Sequence, residues 1–280
     1  MTDIPTSPFK AGSVAVVTGA ASGIGRAAAE RFAQTGMRLV LCDRDEAALS
    51  GLADALGGEA RIMAGDVARI EDVERLRDLA YATFGQVDVL FNNAAIAGTG
   101  SDNWTGLDAW HRIIDVNLWG VVNGVHVFTE PMLAQSTRAA IINTGSKQGI
   151  TNPPGFPAYA VAKAAVRTLT EQLQHGLRER GAAVTAHLLV PGWTFTGMTS
   201  APGGTKPDGA WTAGQVVDLM VERIDAGDFY IICPDGAVTP EMDRRRMRWA
   251  MDDIISNRPA LSRWDPDWKE RFDAFMREPE

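Results

Sequence analysis

Short apolar runs alternate along this chain with longer stretches of helical periodicity, and that alternation restricts the possible folds more than any other feature. The apolar runs fall at residues 14–18, 38–42, 60–63, 87–91, 139–144, 184–190 and 229–233. Helical patterns fill the gaps near 24–35, 45–56, 70–84, 107–134, 158–180 and 212–225. Runs such as AAIINT and VTAHLLV lack a strict two-residue alternation of apolar and polar side chains. They read as strands buried on both faces, which is the signature of a parallel sheet covered by helices. Strand–helix alternation with right-handed crossovers then predicts an α/β, doubly wound, seven-stranded parallel sheet.

Length and composition agree. The chain has 280 residues, and about 250 residues is an ordinary size for one α/β domain. With 45% hydrophobic and 22% charged residues it has material for a core, so disorder, collagen and coiled coil are excluded. There is no internal repeat and no low-complexity tract. A net charge of −8 argues against a nucleic-acid partner, which would call for clustered Lys and Arg. Cys42 and Cys233 give no disulfide framework, so a reducing, cytoplasmic home is expected. Asp3, Pro5 and Pro8 are unlike a secretory signal. The uncharged stretch 181–205 is broken by Pro191, Gly192 and Gly197, so no membrane span is expected. The histidines, at 111, 126, 175 and 187, have no metal-ligand spacing.

Thr18-Gly19-Ala20-Ala21-Ser22-Gly23-Ile24-Gly25 leaves the first strand and opens a helix. Glycines let the backbone turn tightly and approach a pyrophosphate, and the helix N-terminus offers unpaired N–H groups and a positive dipole end. Asp43 and Arg44 end the second strand. An acid there can accept hydrogen bonds from both adenosine ribose hydroxyls and would repel a 2′-phosphate. Arg44 pulls the other way, but Ser22 adds no second cation, so NAD is favoured over NADP. The competing reading of Asp43 is a cap for the helix at 45–56.

Tyr159 and Lys163 stand four residues apart at the start of the helix at 158–180, on one face, so phenol and ammonium can reach one bound molecule. A phenol with a pKa near 10 is a poor base at neutral pH, and a nearby cation stabilises its anion. Ser146 follows the strand at 139–144, where its hydroxyl could hydrogen-bond a substrate oxygen. Asn117 lies among Val116, Leu118 and Trp119, and by itself reads as a structural amide.

Together these motifs resemble the short-chain dehydrogenase/reductase family in its compact, single-domain form. The likeness covers about residues 10–236. TGAASGIG at 18–25 matches the family's glycine-rich turn, and Asp66-Val67 matches the pair beside the adenine. Asn92-Asn93-Ala94-Ala95 is similar to the family's NNAG, with Ala95 replacing glycine. Pro191-Gly192 with Thr194 and Thr196 is similar to the segment at the nicotinamide carboxamide. Asn117, Ser146, Tyr159 and Lys163 fall at the catalytic tetrad. The resemblance implies a Rossmann-type fold and hydride transfer between NAD and an alcohol or ketone. Tyr159 would be the general acid/base and Lys163 would lower its pKa and hold the nicotinamide ribose. Ser146 would orient the substrate oxygen, and Asn117 would hold a proton-relaying water. Gly19, Ser22, Gly23, Ile24, Gly25, Asp43, Arg44, Asp66, Val67, Asn93, Ala94, Pro191, Gly192, Thr194 and Thr196 would hold the cofactor together with Tyr159 and Lys163. It also implies a homodimer or homotetramer built on the helices at 107–134 and 158–180 and the last strand.

Ser146, Gln148, Phe156, Tyr159, Trp193 and Phe195 are expected to wall the substrate pocket, under a Gly/Pro-rich lid at 197–209. That lining fits an apolar or aryl secondary alcohol or ketone. The alternatives are an NADP-preferring carbonyl reductase and a catalytically silent, cofactor-binding sensor. Residues 1–239 are thus expected to form one dinucleotide-binding and catalytic domain, and 240–280 a helical appendage. Of the last 40 residues 19 are charged, against 43 in the first 240, and three of the eight tryptophans are here, so this segment is set apart. Thr239 and Pro240 start a helix whose expected apolar stripe is Met247, Ala250, Met251, Ile254 and Ile255. The stripe would dock on the same subunit or on a second one.

Overall fold

The structure is a computed structural model that describes residues 7–57, 59–98, 104–135, 137–199 and 204–277. Residues 1–6 of the expected domain, 200–203 of the expected lid and 278–280 of the tail lie outside the described residues.

The chain begins with Val14–Thr18 (β1), Gly23–Gln34 (α1), Arg38–Asp43 (β2), Glu46–Leu56 (α2), Ala60–Ala64 (β3) and Ile70–Phe84 (α3). Val89–Asn92 (β4), Leu107–Ile114 (α4), Gly120–Ala134 (α5), Ala139–Thr144 (β5), Gln148–Thr151 (α6) and Pro157–Glu179 (α7) follow. Then come Val184–Val190 (β6), Thr194–Phe195 (β7), Trp211–Thr212 (β8), Ala213–Asp225 (α8) and Tyr230–Ile232 (β9). Seven strands pair in parallel in the order β3-β2-β1-β4-β5-β6-β9, as the doubly wound reading requires. β7 and β8 make a separate two-stranded ribbon.

Both faces of the sheet are covered, so its central strands have no polar side. Within β1, Ala15 and Val17 face one core with Phe32 of α1, Leu49 of α2 and Val217 of α8. Val16 faces the opposite core with Leu76 of α3, Phe128 of α5 and Leu177 of α7. The order in which strands are added to the sheet reverses between β1 and β4, and the carboxyl ends of these parallel strands open the crevice where such sheets bind ligands.

Three elements differ from the periodicity. The fourth strand starts at Val89 rather than 87, because the Gln135 side chain takes both the N–H and the C=O of Val87, at 2.9 and 3.0 Å. The last strand shrinks to Tyr230–Ile232. The helix expected over 107–134 is interrupted by a π turn at Asp115–Trp119. After that turn α5 runs very close to its neighbours: a Cβ at Gly124 would lie 2.1 Å from the Asn92 side chain.

The tail forms Pro240–Ile255 (α9), two 3-10 turns at Ser262–Trp264 and Pro266–Trp268, and Lys269–Phe275 (α10). Thr239 caps α9 as expected, accepting a bond from the Met242 N–H at 3.2 Å. The expected apolar stripe is not the buried face: Ile254 and Ile255 are 76% and 72% exposed. Trp249 is buried instead, with Trp268 and Phe272 edge-on to its ring at 6.2 and 5.3 Å and its Nε1 donating to Ser262 Oγ. The bulkiest apolar side chain of α9 is covered by the segment that folds back over it, which leaves the two isoleucines outside. No helix among the described residues is long and apolar enough to cross a membrane.

Candidate active site

The glycine-rich turn is shaped by close backbone approaches. Gly19 has φ +66°, and a Cβ there would lie 2.7 Å from the Ala94 backbone. A Cβ on Gly25 would lie 2.1 Å from the Gly19 carbonyl oxygen. Thr18 Oγ1 accepts from the N–H groups of Asn93 and Ala94, at 3.0 and 3.2 Å, and Asn93 Nδ2 donates to the Thr18 carbonyl. The loops after β1 and β4 are therefore tied together at the crevice. Ser22 precedes α1 in extended conformation with no side-chain cap, so the first N–H groups of that helix stay available to a phosphate.

Asp43 grips this turn, with Oδ2 accepting from Ala21 N at 3.0 Å and Oδ1 from Asp45 N at 3.2 Å. It does not cap α2. Asp45 does, through the Ala48 N–H at 2.9 Å. Each Asp43 oxygen keeps capacity for a further donor such as a ribose hydroxyl.

A cleft of about 340 Å³ runs over the ends of these strands, within the range of small-molecule sites. It is lined by Gly19, Ser22, Gly23, Ile24, Asp43, Arg44, Asp66, Val67, Asn93, Ala94, Ser146, Tyr159, Lys163, Pro191, Gly192, Thr194 and Thr196. The glycine cradle at one part and the acid at the tip of β2 at another fit a dinucleotide. Gly25 lies beneath the turn, and Gln148, Phe156, Trp193 and Phe195 are not among the lining residues. Ile96, Val116 and Thr199 do line it, without having been singled out in the sequence. Their residue types carry no chemical signal that would have found them.

Lys163 is fully buried, its Nζ donating to the Thr144 carbonyl at 2.7 Å. Burial pulls its pKa down to about 8, so it remains largely charged at neutral pH. Its Nζ lies 5.7 Å from the Tyr159 ring centre. Burial pushes the Tyr159 phenol above its ordinary value, and a hydrogen bond with the Ser146 side chain acts in the opposite direction. Desolvation is thus the dominant influence on the phenol. Asn117 sits in the π turn, wholly buried, with Oδ1 accepting from Ile96 N at 2.7 Å and Nδ2 donating to Ile96 O at 2.9 Å. One donor and one acceptor of its amide are thus committed to the loop after β4. Burial also pushes the Cys42 and Cys233 thiols up to about 12, which leaves them inert as nucleophiles. Among the described residues no cluster of His, Cys, Asp and Glu could hold a metal ion.

A charged cluster borders the site that the motifs did not indicate. Lys147 Nζ lies 3.3 Å from Asp235 and 2.6 Å from Asp243 of α9. Asp235 in turn accepts the Trp193 N–H at 2.6 Å and occupies the space where Gly192 lacks a Cβ. The residue after Ser146, the loop after β6 and the tail therefore meet at one lysine.

The pattern described as short chain dehydrogenase matches residues 13–205. The chain is 34% identical over 248 residues to 1-deoxy-11-beta-hydroxypentalenate dehydrogenase of Streptomyces exfoliatus, covering 86% of this chain and 87% of that protein. Among solved structures it is similar to a short chain dehydrogenase/reductase from Burkholderia phymatum in complex with NAD. The TM-score is 0.80 at 34% identity, covering 90% of this chain and 97% of that one. It is also similar to an alcohol dehydrogenase from Thermococcus sibiricus complexed with 5-hydroxy-NADP. There the TM-score is 0.72 at 25% identity, covering 81% and 97%.

Proposed function

The chain belongs to the short-chain dehydrogenase family and is an oxidoreductase of that kind, and from that premise we propose that it transfers a hydride between NAD and an apolar or aryl secondary alcohol or ketone. The observation that carries this reading is one cleft lined by Ser146, Tyr159 and Lys163 together with the glycine cradle and Asp43, and Ile96, Val116 and Met198 in the same lining support an apolar substrate in place of the aromatic residues expected there. The nicotinamide, when bound, supplies the hydride acceptor or donor, and the protein supplies position, a proton route and electrostatics. Tyr159 exchanges a proton with the substrate oxygen, and Ser146, already bonded to the phenol, orients that oxygen. Lys163 keeps a positive charge beside the phenol, anchored on Thr144, and so favours its anion. Asn117 holds the π turn against Ile96, which lines the cleft.

Preference for NAD rests on Asp43, whose carboxylate lines the cleft and is held by the glycine turn. Arg44 also lines the cleft, so NADP is the second reading. A homodimer or homotetramer and a cytoplasmic location complete the proposal. Half-exposed Trp119 and Val161, on the helical segments expected to pair, and Tyr230 on the edge strand support the assembly. Purified protein is to be screened against secondary alcohols, following reduced-cofactor absorbance with NAD and NADP separately. A higher kcat/KM with NADP would overturn the Asp43 argument, and no turnover of any alcohol or ketone would overturn the reaction. A solution mass equal to one chain would dismiss the assembly.

A further inference from the structure

A second cavity, of about 380 Å³, lies between α6 and the C-terminal segment and shares no lining residue with the cleft. Its walls are largely apolar, with Ile150 on the α6 side and Trp249, Leu261 and Trp264 on the tail side. Three arginines, Arg246, Arg258 and Arg263, also line it, against a single carboxylate, Asp253. That carboxylate is already engaged, accepting both the backbone N–H and the hydroxyl of Ser262.

The arginines are not satisfied in the same way. Arg246 Nε and Arg258 Nη1 are buried with no hydrogen-bond partner. Arg258 stacks 4.7 Å over Trp249, and its other terminal nitrogen reaches Asp252 only at 3.6 Å. Among the described residues no carboxylate lies within ion-pair distance of Arg246 or Arg263. Burial and the neighbouring Arg246 charge pull Arg263 down to about 10 against the opposing charge of Asp243, which leaves it a cation at neutral pH. Unpaired buried donors are costly, and more so when charged, so such groups call for an acceptor. A carboxylate suits guanidinium groups geometrically, because planar forks accept it through paired N–H bonds. The apolar walls call for an apolar body behind that carboxylate.

We propose that this cavity binds a small apolar carboxylate, an aryl or medium-chain alkyl acid. Its carboxylate lies among Arg246, Arg258 and Arg263 and its hydrocarbon lies against Trp249, Leu261 and Ile150. The site is separate from the cleft, so its occupant needs neither the dinucleotide nor Tyr159.

The test uses the full-length protein without cofactor, titrated with octanoate by calorimetry and by tryptophan fluorescence, since Trp249 and Trp264 are in the wall. Octan-1-ol and inorganic phosphate are the comparison probes. Saturable binding of octanoate to one site per chain is expected, with octan-1-ol and phosphate at least roughly tenfold weaker. Arg246→Gln and Arg263→Gln should each weaken octanoate by about tenfold or more, and Tyr159→Phe should leave it within about twofold. Absence of saturation at about 10 mM overturns the proposal. So does octan-1-ol binding as tightly as octanoate, phosphate displacing octanoate at equal concentration, unchanged affinity in both arginine variants, or loss of binding in Tyr159→Phe. If a variant does not fold, the parent's discrimination between octanoate and octan-1-ol still decides the matter.

Discussion

Replacing Lys147 by methionine tests how the tail is joined to the site. The lysine side chain is 18% exposed, and its partners Asp235 and Asp243 are 12% and 8% exposed. Methionine keeps an unbranched apolar stem but removes the cation, so two carboxylates are left facing one poorly solvated space. Removing one partner of a buried ion pair costs about 3–5 kcal/mol, and the residual exposure here places the effect near the lower end, about 3 kcal/mol. With about 2–4 °C per kcal/mol for a chain of this order, the melting temperature should fall by roughly 6–12 °C. Asp235 holds the Trp193 N–H, so the loop after β6 should loosen together with α9. The assay is thermal and urea unfolding of the parent, Lys147→Met, Asp243→Asn and the double variant. Removing Asp243 as well should restore part of the loss, because one unpaired carboxylate is then gone. A melting temperature within about 1 °C of the parent for Lys147→Met refutes the reasoning. Costs that add within about 0.5 kcal/mol in the double variant refute it equally, since the three groups would then not be coupled.

Tyr159→Phe should lower hydride transfer by roughly 10²–10⁴-fold while dinucleotide affinity, read by fluorescence titration, stays nearly unchanged. Gly25→Ala places a methyl 2.1 Å from the Gly19 oxygen in the parent geometry. The turn must open, and the dinucleotide dissociation constant should rise by at least about tenfold in the same titration. Lys163 has a folded pKa of about 8 against 10.5 for the free side chain. Between those values the unfolded chain binds more protons, so this group makes the protein more stable as pH rises from about 8 towards 10.5. Urea unfolding across that window should show a rise in the parent relative to Lys163→Met, and a fall would contradict the buried, uncompensated lysine.

Local order was legible because it is written in periodicities. Continuous apolar runs marked β5 and β6 as doubly buried, Thr239-Pro240 marked the start of α9, and Tyr159 and Lys163 share a helix face by their spacing alone. The turn at 18–25 was readable because only glycine tolerates such close backbone approach. Where bonds go between distant segments was not legible. Asp43 and Asp45 are both plausible caps by residue type, and the folded turn assigns one to Ala21 and the other to α2. The π turn at Asn117 depends on the Ile96 backbone, 21 residues away, and no residue-type signal encodes a backbone partner. The stripe on α9 is not the face buried within this chain, because amphipathic spacing says which residues share a face, not which face a neighbour covers; Trp249 took the buried side when the aromatic end of the tail folded onto it. Sequence by itself determined the sheet, the glycine-rich turn and the shared helix face of Tyr159 and Lys163, all of which follow from spacing within a strand, a turn or a helix. Tertiary structure alone decided the lysine that joins Asp235 to Asp243 and the arginine-lined cavity beside it, because charges far apart in the chain acquire partners, or lack them, only once the fold has brought them together and removed the water.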